Sequence, residues 1–400
     1  MHFVPDGTGV CGLLPLPAEI LIGCREKKET NMKKHRFIIV GSGWRSLCYV
    51  RIAKALPDVF ELGAMLCRTE EKAERMAREN DIYTTTSIEE CKAMKPDFVV
   101  VVVNKTSIAD VSKEWMGYGF TVLCETPAAL DTSTLNELWE IHNSGGKLVV
   151  AEQYIYDPMY DTQLKILKKG LIGEPSFLHI SLAHEYHGAS LMRAYLQMDA
   201  ATPFTVSAKT YQFPTVETMS RYEKFTDGRI TDKKRTVGTF EFDNGKVAVY
   251  EFDSEQYRSP IRNHYIKLQG VRGEMKDNCF YWLDEANEPQ KGMLVPEEKC
   301  FTRNSDNPNL QHVCECEEIR FRQDGKPDEL VYEAPFGQRG MSKGETAVAL
   351  LMKQAAEYDR KNGEQALRET LQDAYMAILM KSATETGEVI SSEVQSWHKI

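Results

Sequence analysis

The sequence predicts an α/β protein: an N-terminal doubly wound parallel sheet, followed by an α+β domain with a large, mostly antiparallel open sheet. Three observations predict it. From Arg36 to about residue 155, short continuous apolar runs alternate with amphipathic helical patterns, as expected when parallel strands are covered by helices on both faces. A glycine-rich turn, Gly41-Ser42-Gly43, separates the first apolar run from the first helical pattern. After the helical stretch QLKILKKGLIG the signal changes to longer runs in which apolar and polar residues alternate, as strands with one solvated face require.

Taken in order, RFIIV reads as a strand, GSGWRS as a turn, LCYVRIAKAL as a helix, FELGAMLC as a second strand and TEEKAERMAREN as a charged helix. The alternation repeats through SIEECKAM, DFVVVVV, SIADVSKEWMGYG, FTVLCE, TSTLNELWEIHNSG and KLVVAEQ. The second half predicts strands at FLHISLAHEY, RTVGTFEF, KVAVYEF, HYIKLQG and ELVYEAP, with a hairpin turn at Asp243-Asn244-Gly245. Two helical patterns close the chain, roughly Gly344 to Arg360 and Glu364 to Glu385. The domain reading is residues 1–32 as a disordered or non-native leader, 33–155 as the dinucleotide-binding domain, and 156–400 as a substrate-binding and oligomerisation domain. The apolar faces of its C-terminal helices can pack on either domain, including back on the first.

With 400 residues, 42% of them hydrophobic and 27% charged, the chain is long enough for two separate cores. A formal net charge of −10 offers no basic surface for nucleic acid or anionic lipid. No apolar run of spanning length occurs, so neither nucleic acid nor a membrane is an expected partner. The ten cysteines form no CxxC pair and no regular framework, which fits a reducing, cytoplasmic setting. Cys314 and Cys316 lie in a strand-like stretch where alternate residues share a face and read as two core thiols. No metal site is expected.

Gly41, Ser42, Gly43, Trp44 and Arg45 stand where a strand gives way to a helix, the context in which a glycine motif predicts a dinucleotide site. Gly41 permits the tight turn, Gly43 lets backbone approach a pyrophosphate, and the helix N-terminus supplies N–H groups and a favourable dipole. The next strand ends Leu66-Cys67-Arg68-Thr69, without the acidic residue that binds an unphosphorylated ribose. The cofactor is therefore NAD or NADP, and Arg68, able to pair with a 2′-phosphate, tilts the reading towards NADP. Asn104 and Gln153, at the C-terminal ends of later strands, are further candidate cofactor contacts, with Cys67 and Glu125.

GSGWRS after RFIIV, then PDFVVVVVN, GFTVLCETPAAL and KKGLIGEPSFLHI together resemble the Gfo/Idh/MocA family of glucose–fructose oxidoreductase and inositol dehydrogenase relatives. The resemblance runs from about residue 33 to the end and is strongest before residue 200. It implies a Rossmann domain followed by an α/β domain with an open sheet, hydride exchange with sugars or cyclitols, and a homodimer or homotetramer formed through that sheet. In the family a Glu-Lys-Pro signature supplies a lysine that assists proton transfer; this chain has Glu125-Thr126-Pro127. A second family signature places aspartates four residues before and three after a histidine. Here His187 keeps the histidine, whereas Ala183 and Ser190 replace the acids.

Hydride transfer from a carbinol needs a group that takes the hydroxyl proton. His187, with an ordinary pKa near neutrality, is the first candidate. Lys105, following Asn104 at the ligand-binding edge of the parallel sheet, is the second, as a spatial stand-in for the missing lysine. Tyr154, Tyr156, Tyr186 and Arg193 are candidates to line a polyol pocket, since sugars need donors, acceptors and an aromatic face. The expected function is an NAD(P)-dependent oxidoreductase acting on a sugar, sugar derivative or cyclitol. Two alternatives stay open: a redox-neutral glycosidase or lyase that oxidises its substrate transiently, and a sensor that keeps the fold while having lost proton-transfer residues.

Overall fold

The computed structural model describes residues 33–305 and 307–399. The expected leader, residues 1–32, lies outside the described residues. The first sheet is built from β1 (His35–Val40), β2 (Phe60–Leu66), β3 (Thr84–Thr85), β4 (Phe98–Val101), β5 (Thr121–Cys124) and β6 (Lys147–Val150). Between them run α1 (Ser46–Ala55), α2 (Glu70–Asn80), α3 (Ile88–Ala93), α4 (Ile108–Gly117) and α5 (Thr132–Asn143). The strand order is β3-β2-β1-β4-β5-β6 and all neighbours are parallel. The order reverses between β1 and β4, which opens a crevice at the C-terminal ends of those strands.

Local sequence accounts for these elements. Thr69, Ser87 and Asp131 each accept a hydrogen bond from the amide three residues on, starting α2, α3 and α5. Alternate residues of the short strands enter different cores: Phe37, Ile39, Val100 and Leu123 on one face, Ile38, Val99, Val101 and Val122 on the other. Burial on both faces is why these strands read as unbroken apolar runs.

The rest of the chain comprises α6 (Pro158–Leu167), β7 (Pro175–Ser181), α7 (Glu185–Leu196), β8 (Phe204–Val216), β9 (Ile230–Phe242), β10 (Val247–Asp253), β11 (Tyr265–Gly270), β12 (Gly273–Lys276), β13 (Cys279–Leu283) and β14 (Pro289–Thr302). It ends in α8 (Pro308–Gln311), β15 (His312–Gln323), β16 (Glu329–Glu333), α9 (Lys343–Ala356), α10 (Arg360–Thr386) and β17 (Ile390–Ser391). Its strands form one sheet of order β16-β15-β14-β13-β12-β11-β7-β10-β9-β8-β17, antiparallel except for the β7–β10 pair. The expected hairpin joins β9 to β10, with Gly245 at φ +81°.

The two closing helices enter different cores. On α9, Val348, Leu351 and Met352 join Phe37, Ile39 and Val100 in one core, while Leu371, Tyr375 and Met376 of α10 join the other. Ser342 and Glu345 form a capping box at the start of α9.

Two expectations change. The run FLHISLAHEY is not one strand, because β7 stops at Ser181 and α7 starts at Glu185. The N–H groups of His184 and Glu185 donate to the hydroxyls of Tyr257 and Tyr250, at 3.1 and 2.8 Å, in place of a ladder partner. Cys314 is not a second core thiol beside Cys316: it faces Cys300 across the β14–β15 ladder and is disulfide-bonded to it. The two partners are 14 residues apart in sequence, and only strand register reveals the pairing.

Candidate active site

The turn after β1 has the geometry its glycines require. Gly41 has φ +115°, and a Cβ there would lie 2.3 Å from the Val102 carbonyl oxygen, so only glycine fits. A Cβ on Gly43 would meet nothing within 4 Å, leaving that side of the turn open. The helix α1 starts after Arg45 without a side-chain cap, and the N–H groups of Ser46, Leu47 and Cys48 turn back onto the carbonyls of Gly43, Trp44 and Arg45, leaving the positive end of the helix dipole facing the turn. The Ser42 hydroxyl bonds the buried Cys67 thiol at the end of β2, while Arg68 beside it is exposed.

Glu125, at the end of β5, is 7% exposed and heavily bonded. Its Oε1 accepts from Arg45 Nε and from the Tyr49 hydroxyl, each at 2.6 Å, and its Oε2 accepts from the Thr126 N–H at 3.3 Å. The carboxylate is thereby tied to the dinucleotide turn. Three buried polar atoms at this edge have no hydrogen-bond partner: Trp44 Nε1, Arg45 Nη2 and Gln153 Oε1. Unmade bonds of this kind are costly in a native structure unless a ligand makes them. With the open Gly43 side, they fit a bound dinucleotide.

At the end of β6, Glu152 is 3% exposed and shares a 2.6 Å hydrogen bond with Nδ1 of His187, itself 4% exposed in the first turn of α7. Burial pushes the Glu152 carboxyl up to about 8. Burial, and then the positive charge of Arg45, pushes His187 down to about 3. The pair is thus a protonation unit in which a carboxyl holds a proton at neutral pH and the imidazole is uncharged.

Rings surround it. Those of Tyr154 and Tyr186 each lie 4.5 Å from His187, and that of His184 lies 4.8 Å away. His184 bonds the Tyr257 hydroxyl through Nδ1 at 2.6 Å and the Tyr186 hydroxyl through Nε2 at 2.9 Å, and Tyr154 reaches Tyr257 at 3.3 Å. Burial drives His184 down to about 3, assisted by the positive charges of Lys105 and Arg221.

The predicted residues fall into three groups. Glu125, Trp44, Arg45 and Gln153 share the crevice at the sheet edge, and His187, Tyr154 and Tyr186 form the cluster beside it. Asn104 and Lys105 are exposed in the turn after β4, where Asn104 Oδ1 accepts from Thr106 N at 3.2 Å. Two residues point elsewhere. The Tyr156 hydroxyl donates to Gln354 of α9 at 3.4 Å. The Arg193 guanidinium is buried against Asp373, at 2.8 Å, and Glu369, so it ties α7 to α10, and only its buried Nε has no hydrogen-bond partner. Sequence reasoning passed over Glu152, Tyr49, Tyr257 and Arg221; of these only Glu152, next to Gln153 at a strand end, carried a local signal.

No curated protein is matched by the sequence. Residues 35–153 match the model of the Gfo/Idh/MocA oxidoreductase family, described as NAD-binding with a Rossmann fold. Among solved structures, an NAD-binding oxidoreductase from Klebsiella pneumoniae is similar at 14% identity and TM-score 0.60, over 91% of this chain and 100% of that one. An oxidoreductase from Agrobacterium radiobacter, solved with NAD+, L-tartaric acid and magnesium, is similar at 13% identity and TM-score 0.57, over 90% and 98%. The apo scyllo-inositol dehydrogenase of Lactobacillus casei is similar at 11% identity and TM-score 0.56, over 90% and 99%. These likenesses carry the shared fold through the large sheet, beyond residues 35–153, the stretch that matches the model of the Gfo/Idh/MocA oxidoreductase family with its NAD-binding Rossmann fold.

Proposed function

We propose that the protein is a nicotinamide-dinucleotide-dependent oxidoreductase that exchanges hydride with a sugar, sugar derivative or cyclitol at a hydroxyl or carbonyl carbon. The observation that carries this reading is the buried Glu152–His187 pair, 2.6 Å apart at the mouth of the dinucleotide crevice. Gly41, Ser42, Gly43, Trp44 and Arg45 hold the pyrophosphate, Cys67 and Arg68 the adenosine ribose, and Asn104, Glu125 and Gln153 the nicotinamide end. Bound there, the nicotinamide supplies the hydride acceptor or donor.

The chain's own groups handle the proton. With Nδ1–H directed at an ionised Glu152, Nε2 of His187 carries a lone pair and accepts the proton of a substrate hydroxyl. With Glu152 protonated and donating to Nδ1, Nε2–H becomes the donor to a carbonyl oxygen. Lys105, exposed at the opening and close enough to bear on His184, replaces the family's lysine in orienting the substrate oxygen. Tyr154 and Tyr186 offer aromatic faces to a polyol ring.

Arg68 supports NADP, with NAD the alternative that paired titrations decide. On the outer face of the large sheet Tyr281, Leu283 and Met293 are exposed, which supports a homodimer or homotetramer, checked by light scattering. The six free thiols among the described residues, Cys48, Cys67, Cys91, Cys124, Cys279 and Cys316, support a reducing, cytoplasmic compartment, against which only the Cys300–Cys314 disulfide counts. No helix among the described residues is long and apolar enough to cross a membrane.

The test is a panel of cyclitols, aldoses and sugar acids, followed by nicotinamide absorbance with wild type and His187→Ala. Stoichiometric absorbance change that the variant loses supports the reading. Sugar release without net change would move it to redox-neutral chemistry, and neither response together with dinucleotide binding would identify a sensor.

A further inference from the structure

Away from the crevice, β14 and β15 bring three potential ligands together on one exposed patch. Cys300 lies directly opposite Cys314 in the ladder, and His312 is two residues before Cys314, opposite Thr302. Side chains two apart on a strand share a face, so the imidazole projects beside the sulfurs. Its Nε2 is 3.7 Å from the Cys314 Sγ, and the three ligand atoms all lie within 4.8 Å of one another. Val313, between them, is 4% exposed and points the other way.

The disulfide accounts for two of these groups but gives no role to His312. A tetrahedral thiophilic cation at ~2.3 Å from sulfur and ~2.0 Å from imidazole nitrogen spaces its ligand atoms ~3.5–3.8 Å apart. The His312–Cys314 separation already meets that spacing, and side-chain rotation of the two freed sulfurs would supply the rest.

The geometry points to a second state of this patch: with the disulfide reduced, Cys300, Cys314 and His312 bind one thiophilic divalent cation such as zinc, with solvent in the fourth position. Two electrons from a dithiol open the S–S bond, and the dithiol leaves as its own disulfide. Each cysteine sulfur gains a proton, and on metal binding both thiol protons pass to solvent as the thiolates ligate. The disulfide and the metal are alternatives, since both use the same two sulfurs. The patch lies at the foot of the segment that carries Asn309, whose side-chain amide donates to the backbone carbonyls of Ser220 and Arg221 at 3.0 Å. Arg221 in turn lies over the Trp44 ring, 5.1 Å from its centroid.

The experiment uses the full chain carrying Cys11→Ser and Cys24→Ser, so that thiols outside the described residues contribute nothing. Protein reduced with dithiothreitol and desalted without oxygen is titrated with cobalt(II), following the thiolate-to-cobalt charge-transfer absorption. The expected result is one equivalent bound by reduced protein and none by oxidised protein. Adding Cys300→Ser and Cys314→Ser should abolish the absorption, and His312→Ala should weaken binding at least ~tenfold while disulfide formation persists. No charge-transfer band from fully reduced protein, or a band that survives the double cysteine replacement, overturns the proposal and leaves the pair a disulfide only.

Discussion

Glu125 and Glu152 end adjacent strands, β5 and β6, and both carboxyls are almost wholly removed from solvent, at 7% and 3% exposure. Their partners separate them. Glu125 is met by a guanidinium and a phenol, whose hydrogen bonds hold it in place as part of the dinucleotide turn. Glu152 is met by an imidazole, a group that can give or receive a proton, and burial favours the neutral form of each. A buried carboxyl becomes a binding element or a proton carrier according to whether the group beside it can change charge.

The largest effect that would break this contrast is at His187. His187→Ala is expected to lower kcat by a hundredfold or more, as loss of a general acid–base usually does, with dinucleotide affinity kept; a kcat within a few fold of wild type would remove His187 from the proton path. Glu152→Gln should cost about a hundredfold and also flatten the pH profile. In wild type the pair loses its second proton near the raised Glu152 value of about 8. Above that pH the singly protonated pair is a base at Nε2; below it the doubly protonated pair is an acid. Oxidation of a hydroxyl should therefore rise with pH through about 8 and carbonyl reduction should fall over the same range.

Glu125→Gln should act on binding instead, raising the dinucleotide Kd about tenfold with the pH profile unshifted. A shifted profile would mean that the two glutamates share one proton. Lys105→Met should reduce kcat/KM by about tenfold or less, and an unchanged value would return Lys105 to a solvated loop. The smallest effect is at Arg68, where Arg68→Asp should turn the preference from NADP towards NAD by several fold, read from paired titrations.

The parts of this comparison that lie close together in sequence were legible in it. Gly41 and Gly43 act within one turn, so a short motif between an apolar run and a helical pattern was enough to place them. The partners of those residues were not, because Arg45 meets Glu125 across 80 residues and His187 meets Glu152 across 35. His184, Glu185 and Tyr186 looked like the end of a strand because apolar residues lead into them. Tyrosine hydroxyls from β10 and the turn after it take the backbone N–H groups that would have continued the ladder. Arg193 illustrates the same limit: nothing near it in sequence announces Asp373, 180 residues away. The long strand β14 escaped because charged residues interrupt its apolar alternation, and with no strand to set opposite the strand-like stretch around Cys314, the Cys300–Cys314 pairing went with it.

The strand β17 has a consequence for how the molecule comes to be made. Ile390 and Ser391 pair with Val206 and Thr205 on β8, and the Ser392 N–H donates to the Phe204 carbonyl oxygen at 2.9 Å. During synthesis at roughly 5–20 residues per second, β8 emerges on the order of ten seconds or more before the residues that cover it. Through that interval a hydrogen-bonding edge of the large sheet lies bare, open to pairing with another nascent chain. The first sheet, with every strand complete by Val150, has no such wait, so crowded or hurried synthesis should cost yield through the second half of the chain.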